Sequence, residues 1–330
     1  MRAPAFWQED PPGLLGRLLR PLGEIVSAVT AARMRRAGFR AAVPVICVGN
    51  FVLGGAGKTP TAIAIARLLR HRGETPVFLT RGYGGSLSSR HPVRVDGQLA
   101  REVGDEALLL AAIAPVIVCR DRAAGARAAI AAGASVIVMD DGLQNPSLAK
   151  DLTLAVVDGA AGVGNGLTMP AGPLRASLAA QIPHIQAILV IGPGAAGDEI
   201  AEAGAAAGKP VLRGRLAPDP AAVALLNDRA VLAFAGIGRP GKFFDTLRET
   251  GAQIVATREF PDHHDFSKAE IAALQRDAAA AKAVLVTTEK DRVRLPADLD
   301  ILTLPVTLDV ADDALSIWLD AELARVRRAR

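Results

Sequence analysis

Short apolar, β-branched runs recur along the first half of the chain, at residues 45–48, 76–80, 116–119, 136–139 and 152–157. Each is apolar on both alternate faces, the mark of a strand covered on both sides. Ala/Leu-rich stretches of helical character lie between them, at 60–69, 104–113 and 121–132. Strands alternating with helices predict an α/β fold built on a parallel sheet. The Gly/Pro-rich stretch 159–174 predicts an irregular loop, and the Ala/Gly-biased 195–208 predicts a helix. A second α/β series follows Pro218-Asp219-Pro220, with strands at 231–235, 254–256 and 284–287 and helices at 240–250 and 267–281. We place a domain boundary at 216–220, which divides the chain into 1–216 and a smaller 217–330.

Residues 13–37 show a different pattern. Leu14, Leu15, Leu18, Leu19, Leu22, Ile25, Val26 and Val29 recur at helical spacing, with a break or kink expected at Pro21. Arg17, Arg20, Arg33, Arg35, Arg36 and Arg40 stand against Glu24. Such a helix packs on its own domain, rests on an anionic membrane surface, or shares its apolar face between the two.

Bulk properties narrow the classes. Half of the 330 residues are hydrophobic, enough for a large core. The net charge of +4 is too small to imply a nucleic-acid partner. Cys47 and Cys119 sit in apolar runs and read as buried thiols, as expected in a reducing cytoplasm. The start of the chain is acidic and broken by proline where a signal peptide needs an apolar core. No apolar run reaches the length of about 18 residues that a membrane span requires.

The chemistry begins after the first strand. Gly54-Gly55-Ala56-Gly57-Lys58-Thr59 leads from 45–48 into the helical 60–69. A strand, a glycine loop and a helix opened by Lys-Thr form a P-loop, whose backbone N–H groups and helix N-terminus cradle phosphates. Lys58 would reach the β- and γ-phosphates of ATP, and Thr59 would ligate Mg²⁺. The usual pattern has glycine where Val52 stands, and Gly54 and Gly55 supply the missing flexibility.

Other residues admit two readings each. Asp140-Asp141-Gly142-Leu143-Gln144 ends a strand, where a P-loop enzyme holds its metal, but Asp-Gly is also a common turn. Asp105, in Gly104-Asp105-Glu106, is either a helix cap or the carboxylate that accepts a hydroxyl proton. His263 and His264 lie in the polar loop 260–266, which either caps a helix or carries an imidazole tuned by a carboxylate. Their spacing does not suggest zinc. Arg175 ends Pro170-Ala171-Gly172-Pro173-Leu174-Arg175 and could bind a phosphate through two parallel N–H bonds. Thr288-Glu289-Lys290-Asp291 could equally be a surface ion-pair cluster.

In order, these motifs resemble those of the tetraacyldisaccharide 4′-kinases of lipid A biosynthesis, over nearly the whole chain. The resemblance also covers Gly49-Asn50, Thr80-Arg81-Gly82-Tyr83-Gly84 and Phe260-Pro261-Asp262-His263. It implies two α/β domains, with the active site in the cleft between them. It implies transfer of the γ-phosphate of ATP to the 4′-hydroxyl of a tetraacylated glucosamine disaccharide 1-phosphate, giving lipid IVA. It further implies a peripheral enzyme on the cytoplasmic face of the inner membrane, held there by the N-terminal helix. Residue by residue, Asp105 matches the family's general base and His263 its dyad partner. Lys58 and the loop Gly54, Gly55, Ala56, Gly57 match the nucleotide site. Thr59, Asp140, Asp141 and Glu106 match the metal site. Gln144 and Arg175 match the nucleotide or substrate-phosphate region more weakly.

Three other classes share parts of this pattern. A partitioning-type switch ATPase places a lysine directly before the double glycine, where this chain has Leu53. A GTPase needs Asn-Lys-x-Asp, and Glu289 stands in the asparagine position without an amide donor. A kinase for a soluble small molecule would not need the helix at 13–37.

Overall fold

A computed structural model of the chain describes residues 4–330. Strand β1 (Val45–Gly49) is buried at every position. Its alternate side chains feed two cores, Ile46 and Val48 on one face and Val45 and Cys47 on the other. Around it lie β2 (Pro76–Thr80), β3 (Val93–Arg94), β4 (Val116–Val118), β5 (Val136–Asp140), β6 (Leu152–Asp158), β7 (Ala187–Ile191) and β8 (Val211–Pro218). A second sheet comprises β9 (Ala230–Ala235), β10 (Gln253–Glu259), β11 (Val284–Thr287) and β12 (Leu302–Thr303), and β13 (Val306–Val310) follows.

The large sheet has nine strands in the order β13-β8-β7-β6-β1-β5-β2-β4-β3. It is parallel except at its two edges, where β13 and β3 run antiparallel to their neighbours. The small sheet is parallel, in the order β10-β9-β11-β12. Helix Pro240–Glu249 covers one of its faces with Phe243, Phe244 and Leu247, and Lys268–Ala280 covers the other with Ile271 and Leu274.

The topology corrects the expected extent of the second unit to residue 330. β13 pairs with β8 in the large sheet, and helix Ala314–Arg328 packs Leu315, Trp318, Leu319 and Leu323 onto the large core beside Ile65 and Leu69. Arg72 holds Asp320, and Arg330 reaches Asp151 at 2.7 Å. The small lobe is thus an insertion, and the chain enters and leaves it along the β8/β13 edge. A half-exposed edge strand carries no local sign of which sheet it joins.

Helix α1 (Leu14–Met34) runs without a break through Pro21. That residue is exposed, so water can take the carbonyl bond its missing N–H leaves open. Gly16 and Gly23 face inward, and a Cβ at Gly23 would strike the Thr168 carbonyl. Small residues on that face let α1 lie close on the loop around 165–172. Its other face leaves Leu14, Leu18, Leu22, Ile25 and Val29 exposed.

Candidate active site

The glycine loop leaves the carboxyl end of β1, and helix α2 (Lys58–His71) starts on Lys58. Gly54 and Gly57 have φ of +110° and +88°, conformations that disfavour any side chain. Nothing lies within 4 Å of where a Cβ on Gly54 or Gly55 would sit, so the loop backbone faces open space. Lys58 Nζ donates to the Gly54 carbonyl at 3.1 Å and lies 4.0 Å from Asp141. The lysine is thus folded back over the loop.

β5 is the neighbour of β1, with Val48 in register with Asp140. Asp140 and Asp141 therefore emerge beside the phosphate loop. Asp140 is 1% exposed, and its Oδ1 has no hydrogen-bond partner among the described residues. Burial, followed by the nearby Glu106 carboxylate, pushes its pKa up to about 7. Asp141 has a left-handed backbone, φ +53°, and turns the other way. Its carboxylate receives both guanidinium ends of Arg175, at 2.8 and 2.9 Å. Burial raises the pKa of Asp141, but Lys58 and Arg175 outweigh it and hold the group down to about 2.

Two of the weaker expectations change here. Arg175 also donates from Nε to the Val52 carbonyl at 3.0 Å, so all three of its nitrogens are engaged by the protein. Gln144 donates to the Asn50 carbonyl at 2.8 Å and to Gln181 at 2.7 Å. Both hold the backbone that leads into the phosphate loop while lining the cleft, where sequence reasoning places them on a phosphate. The pairing with Arg175 likewise occupies both oxygens of Asp141, an expected metal ligand.

The small lobe supplies the far wall. His263 Nδ1 lies 3.0 Å from Asp105 Oδ2 across the cleft, and the Asp105 carboxylate is 3% exposed. His264 points elsewhere: it pairs with Glu270 at 3.0 Å and stacks on Phe260. His263 is left-handed, φ +59°, and its N–H donates to the Gly236 carbonyl at 3.1 Å. Strained backbone of this kind clusters at functional sites. Tyr83 packs against the imidazole at 5.4 Å between ring centres. Burial raises the pKa of Asp105, but His263, Lys290 and Arg294 more than offset it, so the carboxylate lies below its ordinary range.

Two cations adjoin the pair: Lys290, whose charge run sequence reasoning leaves unassigned, and Arg294, which it does not single out. The segment 288–291 is no surface cluster. Asp291 is fully buried, accepts the Gly236 N–H at 3.0 Å and pairs with Arg294 at 2.6 Å. Arg294 also donates to the His264 carbonyl, and its Nε lies 3.6 Å from Asp105. Lys290 Nζ sits 3.4 Å from both Glu106 and His263 Nε2. Burial lowers the Lys290 pKa, yet Glu106, Asp105 and Asp262 hold it above the ordinary value. Glu106, expected at the metal, is thus tied to a lysine.

Asp105 lies buried behind His263, and the phosphate loop, Asp140, Asp141, Glu106, His263 and Lys290 line one cleft of about 2530 Å³. That exceeds the roughly 300–1,000 Å³ of a single small-ligand pocket and leaves room for a nucleotide and a large acceptor together. A phosphate loop on one lobe, facing a carboxylate–imidazole pair completed by the other, defines a bilobal P-loop kinase. The model of the family "Tetraacyldisaccharide-1-P 4′-kinase" matches residues 15–324, and the chain belongs to that family. It is 60% identical to the tetraacyldisaccharide 4′-kinase of Methylobacterium sp. (strain 4-46), covering 100% of this chain and 99% of the relative. It is 53% identical to that of Nitrobacter winogradskyi over 99% of each chain. The crystal structure of LpxK from Aquifex aeolicus in complex with ATP shares the fold, with a TM-score of 0.75 at 24% identity over 94% of this chain and 99% of that one.

Proposed function

We propose that the protein transfers the γ-phosphate of ATP to the 4′-hydroxyl of a tetraacylated glucosamine disaccharide 1-phosphate, forming lipid IVA. The observation that carries this reading is the Asp105–His263 contact of 3.0 Å, made between the lobes, with His263 lining the same cleft as the phosphate loop. The loop residues Gly54 to Thr59 cradle the triphosphate. Lys58 swings from the Gly54 carbonyl onto the β- and γ-oxygens as charge builds there. Asp105, kept ionised by its neighbours, accepts the sugar hydroxyl proton late in transfer, and His263 fixes the carboxylate's orientation. Because His263 belongs to the small lobe, the pair exists only when the lobes meet, which restricts transfer of the phosphate to water.

Thr59 and Asp140 fit a Mg²⁺ site. The partnerless Oδ1 of Asp140 and the raised pKa of that group mark a place short of positive charge. Among the described residues no three carboxylate, imidazole or thiol groups form a cage. Mg²⁺ needs none, since it binds through one or two carboxylates together with substrate phosphates. Bound there, it supplies neutralisation of the phosphate oxygens.

The exposed stripe of α1 supports a peripheral position on the cytoplasmic face of the inner membrane. Leu14, Leu18, Leu22, Ile25 and Val29 cover one side, and Arg17 and Arg20 suit anionic headgroups. Among the described residues no helix is long and apolar enough to cross a membrane. The test is transfer of label from γ-labelled ATP to tetraacyl-disaccharide 1-phosphate in detergent micelles, with a control lacking acceptor. Labelled bis-phosphorylated lipid is expected. Hydrolysis of equal rate with and without lipid, and no labelled lipid, would overturn the reading in favour of a switch ATPase.

A further inference from the structure

Lys290 lies outside the Asp105–His263 pair, yet its ammonium faces the imidazole. Its Nζ is 3.4 Å from His263 Nε2, 3.4 Å from Glu106 Oε1 and 3.9 Å from Asp262 Oδ1. On the other side of the ring, Nδ1 is 3.0 Å from Asp105 Oδ2, with Arg294 Nε 3.6 Å from the same oxygen. Asp262 Oδ2 lies 3.8 Å from Nε2.

We infer that Lys290 is a positioning residue that holds His263 in its neutral Nδ1–H tautomer, leaving Asp105 as the only proton acceptor of the pair. An ammonium has three donors and no acceptor, so Nε2 must present its lone pair to Lys290. A neutral ring with a bare Nε2 carries its proton on Nδ1, and that N–H donates to the Asp105 carboxylate. An imidazolium would set a second N–H against the ammonium. The nearest carboxylate to Nε2, Asp262, is farther away than Lys290 and is itself approached by it. Nδ1 is then already protonated and cannot take the substrate's proton from Asp105. His263 orients the base and does not relay. Lys290 comes from the small lobe and Glu106 from the large one, so the same side chain fixes the tautomer and bridges the cleft.

This inference rests on the kinase reading only for its catalytic consequence, because the tautomer can be read without any substrate. The full-length protein, labelled with ¹⁵N in its histidine rings, is examined by long-range ¹H–¹⁵N correlation at neutral pH. The His263 signals are identified by their loss in H263Q. The expected pattern is a pyrrole-type Nδ1 and a pyridine-type Nε2. In K290M the pyridine-type Nε2 signal is expected to disappear as Nε2 takes a proton; in K290R it is expected to persist. In the lipid assay K290M should lose about 10–100-fold in kcat, the scale on which outer partners act. Its KM for ATP should be unchanged, and K290R should recover most of the rate. An imidazolium or an Nε2–H tautomer in the wild type would overturn the proposal, as would a K290M spectrum identical to it. If K290M does not fold, K290Q carries the test, since its amide can still donate to Nε2. The Nδ1–H form is expected there, and any other form overturns the proposal. A wild type with the expected tautomer and no lipid phosphorylation would sink the kinase reading alone.

Discussion

Replacing Asp291 by alanine should unfold the small lobe well before it disturbs the large one. The Asp291 side chain is 0% and that of Arg294 7% exposed, and they meet at 2.6 Å. The carboxylate also accepts from Gly236 N–H at 3.0 Å and from the Thr288 hydroxyl at 2.6 Å. Removing it takes the closest carboxylate from a buried guanidinium and leaves the buried Gly236 N–H without its acceptor. Loss of one partner of a buried pair typically costs about 3–5 kcal/mol; the orphaned N–H, about 1–3 kcal/mol on its own, falls within that figure. With a urea slope of about 1–3 kcal/mol/M for a small domain, the small-lobe transition should drop by about 1 M or more. Circular dichroism and hydrogen exchange across residues 219–304 would follow it. Burial pushes the Asp291 pKa up despite its partners, so this pair is expensive to keep as well as to break. The double variant D291L/R294M should accordingly lose less than the sum of the two single variants. A midpoint for D291A within a few tenths molar of wild type would refute the argument.

Three further outcomes follow from the same contacts. The pKa of Asp141 is held down to about 2, so its pairing stabilises the fold above the ordinary value of 3.8 and is lost as pH falls toward 2; the deficit in melting temperature of D141N should be constant above about pH 5 and shrink below about pH 4, and a deficit that grows with acid would contradict this. Burial pushes the Cys47 thiol up to about 11 and raises that of Cys119 too, so a thiol reagent at mildly alkaline pH should find no fast-reacting group until urea is added; rapid labelling of Cys47 in the folded protein would be the contrary result. Leu18 and Ile25 are 68% and 61% exposed, so L18E and I25E should leave thermal stability unchanged while each weakens binding to anionic vesicles by about tenfold or more, from the roughly 1.5–3 kcal/mol of a buried aliphatic side chain; undiminished vesicle binding would remove α1 from the membrane contact.

The phosphate loop is legible because its chemistry is local: strand, glycines, lysine and helix start are consecutive in the chain. The dyad is not. Asp105 opens its own helix, where its Oδ1 accepts the Glu106 N–H at 2.9 Å, so its local sequence announces only a carboxylate at a helix start. Only the fold brings His263 to it from 158 positions away. No residue pattern announces that His263 takes a left-handed backbone and His264 does not. Lys290 and Arg294 are hidden for the same reason, since a charge run reads identically on a surface and in a cleft. The reading of 159–216 as loop and helix omits β7 and β8. β7 is as apolar as the other inner strands, whereas β8 mixes Arg213 and Arg215 with apolar positions because those two lie on its exposed face. The pairing of β13 with β8 is why the second unit ends before the chain does.

The central claim is that Asp105 serves as the base in a cleft completed by the second lobe. It is tested most directly by the kcat for lipid phosphorylation of D105A, measured beside its affinity for ATP. A fall of about 10²–10⁴-fold in kcat with ATP affinity unchanged is the result this account predicts. A D105A enzyme that phosphorylates the lipid within a few-fold of the wild-type rate would contradict it.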